Sequence, residues 1–437
     1  MTYDVLKKKV FAAIDANAEK IVEIGETLWK NPEPGYREYK TAALAAGIFK
    51  SLGLPTREKL GITGLRADMS FSDDAPTIAI LGEMDSLILP THPECDPATG
   101  AVHSCGHNAS MAGMLGTAIG FAAAGIENEL KGKIAFIAVP AEECIEIEKR
   151  LSMIAEGKIA SLGGKGELIR QGVFDDVQLA FMLHAGSTYA YGSHNGFITK
   201  KVTFKGFSCH AAAPGNGINA LHAMTLAQSA VGLLRERWAG MNHTVRIHGI
   251  VTSGGNVVNI IPDKCTMEFL LRADKIKTIE VLHKEFDRAM CGAAMAVGAG
   301  VDIETIPGYM PQYDDDELEN FYCRAVEELD PEIPNKGSVF RCSSTDMGDL
   351  STIMPTLHAY TAGAAGTGHG ADYRIADKTR AYVVNAKIVA SIAIDLLAGN
   401  AESARRISQK RDGKLSVREY IALADSLNAK VSRDLEK

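Results

Sequence analysis

The stretch Lys133-Ile134-Ala135-Phe136-Ile137-Ala138-Val139-Pro140-Ala141-Glu142-Glu143 decides how this chain folds. From Ile134 to Val139 it is apolar without alternation, the pattern of a strand covered on both faces in a parallel sheet. Pro140 ends the run, and two adjacent carboxylates follow. A second such run, 179–183, ends at His184. Shorter β runs lie near 64–69 and 77–81, and the latter delivers Gly82-Glu83-Met84-Asp85 at its C-terminal end. Helical spacing (Val10, Ile14, Ile21, Ile24, Leu28) runs through 4–30 and stops at Asn31-Pro32-Glu33-Pro34-Gly35. A second helix is expected over 38–52. Residues 109–124, small and apolar, are expected to form a buried helix. Strand alternating with helix predicts a doubly wound, mostly parallel α/β sheet, which collects its ligands beyond the C-terminal ends of its strands.

Near Gly196 the pattern changes. Strands are expected at 201–205, 245–252, 265–272 and 301–306, with helices at 219–238 and 276–297. The order βαββαβ is the ferredoxin-like arrangement. The α/β pattern resumes with a helix at 315–329, strands at 337–342 and 356–361, and a helix at 378–398. The expected division is therefore a discontinuous first domain, 1–195 with 310–437, and an inserted domain, 196–309. In the tail, Arg411-Asp412-Gly413-Lys414-Leu415-Ser416 with Glu419 echoes half of a calcium loop. Ser408 and Lys410 stand where that loop needs carboxylates, so a surface helix–turn–helix is expected instead.

The 437 residues are 46% hydrophobic, enough for substantial cores, and carry a net charge of -8. That balance argues against nucleic acid or an anionic membrane as partner. No apolar run reaches the ~18 residues of a membrane span, and no basic segment followed by an apolar one opens the chain. Eight cysteines without paired spacing read as reduced thiols, so a cytoplasmic protein is expected.

Chemistry gathers in five places. Val102-His103-Ser104-Cys105-Gly106-His107-Asn108 holds a Cys-x-His pair, with Gly106 free to bend the backbone so that both side chains face one point. Taken alone, such a pair is more often a buried thiol beside an ordinary imidazole. Glu142-Glu143, His184, Cys209-His210 and the glycine-rich loop Gly366-Thr367-Gly368-His369-Gly370 change the weighing. Cys105, His107, Glu143, His184 and His369 offer one thiolate, one carboxylate and three imidazoles. A single catalytic zinc uses three protein ligands, so five suit two ions about 3.5–4 Å apart. On a strand Glu142 and Glu143 would point to opposite faces; on the loop just past it, Glu143 can bind metal while Glu142 transfers protons. Asp85 is expected to orient a ligand imidazole, and Glu83 is ambiguous between ligand support and structure.

These motifs, with His210-Ala211-Ala212, Gly254-Gly255, Asn259-Ile260-Ile261-Pro262, Arg272 and Ser344-Thr345-Asp346, resemble the co-catalytic metallo-amidohydrolases and exopeptidases. That family includes aminoacylases, carboxypeptidase G-type enzymes and plant auxin-conjugate hydrolases. Over about residues 5–398 the sequence is most similar to the aminobenzoyl-glutamate hydrolase branch with its related dipeptidases. The resemblance implies the same five ligands and Glu142 as acid/base. It also implies that the insert is a dimerisation and lid domain, that His210 polarises the scissile carbonyl across a homodimer, and that Asn259 and Arg272 hold the substrate carboxylate. Asn108, where many relatives have Asp, and Ser344-Thr345-Asp346-Met347, where many have Glu-Asp-Phe, both match that branch. The expected function is hydrolysis of an N-acyl or N-aroyl amino acid, or of a dipeptide with a free carboxylate, by metal-activated water on two zinc or manganese ions. Deacetylation of a modified amino acid and a catalytically silent binding protein are the alternatives.

Overall fold

The structure, a computed structural model, describes residues 2–239 and 244–435. The chain forms two compact units, one made of 1–193, 313–340 and 349–417, the other of 194–312, 341–348 and 418–437.

The first unit is built on an eight-stranded sheet whose centre is parallel. Lys133–Val139, Thr77–Glu83, Val177–Ala185 and Thr356–Thr361 lie side by side in that order. Antiparallel strands Gly64–Ser70 and Thr56–Leu60 extend one edge, and Tyr189–Tyr191 and Asn335–Ser338 the other. Every residue of Thr77–Glu83 is buried, as the unbroken apolar pattern requires. The small-residue helix is His107–Ala124, buried at nearly every position through Phe121. Its glycines let neighbouring helices approach: a Cβ on Gly120 would meet Ile14 Cγ1 at 2.4 Å. Tyr3–Ala16, Ala18–Lys30 and Asn385–Leu397 pack around it. The single helix expected over 4–30 is thus two, broken at Asn17, and the helix expected over 378–398 opens with a π turn, Thr379–Val384. Thr56–Leu60 escaped notice in the sequence because it is polar and mostly exposed.

The second unit bears the βαββαβ order: strand Gly196–Lys205, helix Ala220–Trp238, strands Arg246–Ser253 and Lys264–Ala273, helix Ile276–Met295, strand Gly300–Pro307. Its sheet is antiparallel throughout. A fifth strand, Ala429–Arg433, pairs with Gly300–Pro307 from Thr305↔Ala429 to Val301↔Arg433. The tail does contain two helices, Glu402–Ser408 and Val417–Ser426, but its end joins this sheet, whereas all of 310–437 was expected with the first domain. Ala429-Lys430-Val431-Ser432-Arg433 carries only two apolar residues, so nothing but backbone pairing marks it as a strand.

Candidate metal centre

Five side chains of the first unit converge beyond the C-terminal ends of its parallel strands. Gly106 adopts φ +91° and caps the helix that begins at His107. A Cβ there would lie 2.2 Å from Tyr373 Oη and 2.6 Å from Ala185 Cβ, so only glycine fits. This turn puts Cys105 and His107 on one side. His184, next to last in its strand, brings Nε2 to 3.2 Å from Cys105 Sγ. The glycine-rich loop is tied to the Cys-x-His loop by the His369 N–H donating to Ser104 O at 2.9 Å, and His369 Nε2 lies 3.3 Å from Glu143 Oε1. Cys105, His107 and His184 form one group whose ligand atoms lie within 4.8 Å of one another. Cys105, Glu143 and His369 form another, and Cys105 is common to both.

The glutamate loop is held from three sides. Ala141 takes a left-handed φ of +52°, which ends the strand's alternation at a cost of about 1–2 kcal/mol. Asp85, fully buried, accepts the N–H groups of Glu142 (3.1 Å) and Glu143 (2.9 Å). Glu38 accepts the Ala141 N–H at 2.8 Å and the Thr63 hydroxyl at 2.6 Å; burial and the neighbouring Asp85 push its carboxyl up to about 7. Arg150 donates to Glu143 O at 2.5 Å and Leu162 O at 2.6 Å. Asp85 also lies against His107, whose Nδ1 is 2.9 Å from its carbonyl and 3.3 Å from Oδ1, so the expected orienting contact is made by backbone as well as carboxylate. Glu142 Oε2 lies 3.8 Å from His107 Nε2. Glu38, Arg150 and Tyr373 carry no motif signal; only the partners the fold gives them reveal their role.

The donor set fits divalent cations. Glu83 Oε2, His107 Nε2 and Glu143 Oε1 are buried without a hydrogen bond, a costly state that a cation would relieve. Burial, then the nearby His107, pushes His184 down to about 4, leaving the neutral imidazole that metals bind. Burial, then the Glu143 charge, drives the Cys105 thiol well above its usual range; a thiolate there requires a cation beside it.

The other three residues singled out in the sequence lie in the second unit. His210 pairs with Ile260 in a β-bridge, and the Ala211 N–H donates to Asn259 O at 3.0 Å, so His210 and Asn259 are neighbours. Both are exposed. Arg272 Nη1 donates to Ser344 Oγ at 2.7 Å, and its guanidinium lies 5.4 Å from the Phe197 ring centre. Arg272 pairs with Phe197 at the start of Gly196–Lys205, whereas His210 and Asn259 adjoin the other end, where Lys264 pairs with Lys205. Eight strand residues, roughly 27 Å, separate the two ends.

Residues 192–293 match the model of a peptidase dimerisation domain. The chain is 29% identical to the Xaa-Arg dipeptidase of Mus musculus over 90% of its own length and 89% of that protein's. It is 28% identical to a p-aminobenzoyl-glutamate hydrolase chain of Escherichia coli (strain K12) over 66% of this chain and 58% of that one. A dinuclear metal binding peptidase of the M20 family from Bacillus subtilis shares the fold with a TM-score of 0.66 at 21% identity, covering 88% of this chain and 99% of that one. An aminobenzoyl-glutamate utilization protein from Klebsiella pneumoniae gives a TM-score of 0.61 at 16% identity, covering 88% and 97%. The family resemblance carried by the motifs is thereby borne out. The chain is a hydrolase acting on carbon–nitrogen bonds, of the metallopeptidase and amidohydrolase kind, and it contains a dimerisation domain. Among the described residues no helix is long and apolar enough to cross a membrane.

Proposed function

We propose, from this kinship, that the enzyme cleaves the amide of a dipeptide, or of an N-acyl or N-aroyl amino acid, with a free carboxylate on the leaving amino acid, and that it works with two divalent ions, zinc or manganese. The observation that carries this reading is the sharing of Cys105 between two groups of ligand atoms, with Glu142 beside them. The residues that would hold the ions are Cys105, His107 and His184 in one group and Cys105, Glu143 and His369 in the other. When bound, the ions supply Lewis-acid polarisation of the carbonyl and lower the pKa of water. Glu142 takes a proton from the attacking water and returns it to the departing amine nitrogen. Asp85 keeps Glu142 and Glu143 on the same side and sets the ring of His107.

His210 donates a hydrogen bond to the carbonyl oxygen as charge develops on it. Arg272, with two parallel N–H donors, and Asn259 grip carboxylate and backbone groups of the substrate. The match to a dimerisation domain supports a homodimer in which each copy lends His210 to its partner. Val258 at 99% exposure, with Ile250 and Val251 on the edge strand and Leu226 and Leu233 on the helix Ala220–Trp238, offers apolar surface for that contact. The dipeptidase relative, aligned over 90% of this chain, supports dipeptides as substrates ahead of aroyl-amino acids.

The test is Glu142→Gln assayed over a panel of dipeptides and acyl-amino acids. Metal content should stay at two ions per chain while turnover falls by roughly two to four powers of ten. Near-normal turnover, or no activity of the intact enzyme on any member of the panel, overturns the reading.

A further inference from the structure

Glu83 ends the strand Thr77–Glu83 with no solvent exposure. A carboxylate at such depth costs several kcal/mol unless it is partnered. One oxygen is: Oε1 lies 2.6 Å from Nζ of Lys165, whose side chain is equally inaccessible. The other, Oε2, has no hydrogen bond and lies 3.3 Å from Nε2 of His107, which has none either. His107 Nδ1 is 2.9 Å from the carbonyl oxygen of Asp85. A carbonyl only accepts, so Nδ1 carries a proton, and Nε2 is the ring atom left to face Glu83. Two buried polar atoms thus face each other in a dry site with no hydrogen bond between them, and a divalent cation held by both would satisfy them together. The 3.3 Å spacing is close to the edge of a tetrahedron whose bonds are ~2.0–2.2 Å long, the range for zinc with nitrogen and carboxylate oxygen.

We propose that Glu83 is an additional metal ligand, its Oε2 joining His107 Nε2 on one ion, and that Lys165 fixes the carboxylate so that this oxygen faces the ion. Lys165 is then a positioning residue: it occupies Oε1, bars the carboxylate from rotating, and offsets the extra negative charge. Sequence offers no hint of the pair, because 82 residues separate its members.

The inference rests on the two-ion reading, and the experiment separates the two. Zinc-loaded protein would be titrated with a chromophoric chelator, and its zinc X-ray absorption recorded for the number of oxygen and nitrogen neighbours. Glu83→Gln keeps the size and still accepts from Lys165 but binds metal far more weakly. It should lose one of the two ions at a chelator concentration at least roughly tenfold lower than the parent protein does, the smaller of the effects common around metal sites, and should show fewer oxygen neighbours per zinc. A double substitution, Glu83→Leu with Lys165→Met, removes both buried charges and should release the same ion; it carries the test if the single variant does not fold. Wild-type retention of both ions in whichever variant folds overturns the proposal. His184→Ala is the control: if it loses one ion while Glu83→Gln loses none, Glu83 alone is misassigned. If the parent never holds more than one ion, the two-ion reading itself has failed.

Discussion

Asp85 bonds to both members of the glutamate pair through their backbones: Oδ1 accepts the Glu142 N–H at 3.1 Å and Oδ2 the Glu143 N–H at 2.9 Å. One carboxylate thereby fixes where two others point. Asp85→Asn retains one acceptor oxygen and aims an NH2 group at the remaining N–H. The expected result is a roughly 10- to 100-fold loss of metal affinity or activity, with stability lower by about 1–3 kcal/mol. Chelator titration and urea unfolding measure the two. Unchanged values for both would mean that Arg150 and Glu38 hold the loop unaided.

Cys105 should be a protected thiol while metal is bound. A coordinated sulfur is shielded from alkylation, and the apo thiol, pushed up by burial, is slow at neutral pH. Labelling after chelation should therefore appear mainly at alkaline pH, and added zinc should abolish it. Mass spectrometry distinguishes Cys105 from the other seven cysteines. Equal labelling with and without zinc at alkaline pH would remove Cys105 from the metal site.

Exchange between copies tests the second unit. Chains carrying Glu142→Ala and chains carrying His210→Ala should each be inactive, and mixing them should restore part of the activity through hybrid dimers. Arg272→Ala alone should lower kcat/KM at least roughly tenfold, because removing one partner of a charged hydrogen-bonded pair costs about 2–5 kcal/mol. Absence of recovery with His210→Ala, with exchange of chains demonstrated by mass, would confine His210 to its own copy.

The strand Ala429–Arg433 covers the Gly300–Pro307 edge of the five-stranded sheet. Deleting 428–437 leaves a row of unpaired N–H and C=O groups on that edge, which is a template for pairing between chains. Sedimentation should then show species of higher mass than the intact protein gives, growing with concentration. An unchanged mass distribution would show that this edge needs no cover.

The parallel strands, the buried helix 107–124 and the candidate metal ligands were legible in the sequence because each carries a local mark. Unbroken apolar runs such as 134–139 admit few other environments, and Cys105 and His107 are near neighbours in the chain, of residue types with specific chemistry. The βαββαβ order of the insert was readable for the same reason, since hydrophobic period alone separates its strands from its helices. Tertiary structure decided what depends on distant residues meeting. Only the fold pairs Glu83 with Lys165, sets Arg150 and Glu38 around the glutamate loop, and places Arg272 and Asn259 toward opposite ends of Lys264–Ala273. It also decided the fate of the tail, because Ala429–Arg433 is held by backbone hydrogen bonds to another strand, and the backbone is the one part of a residue that every sequence position shares.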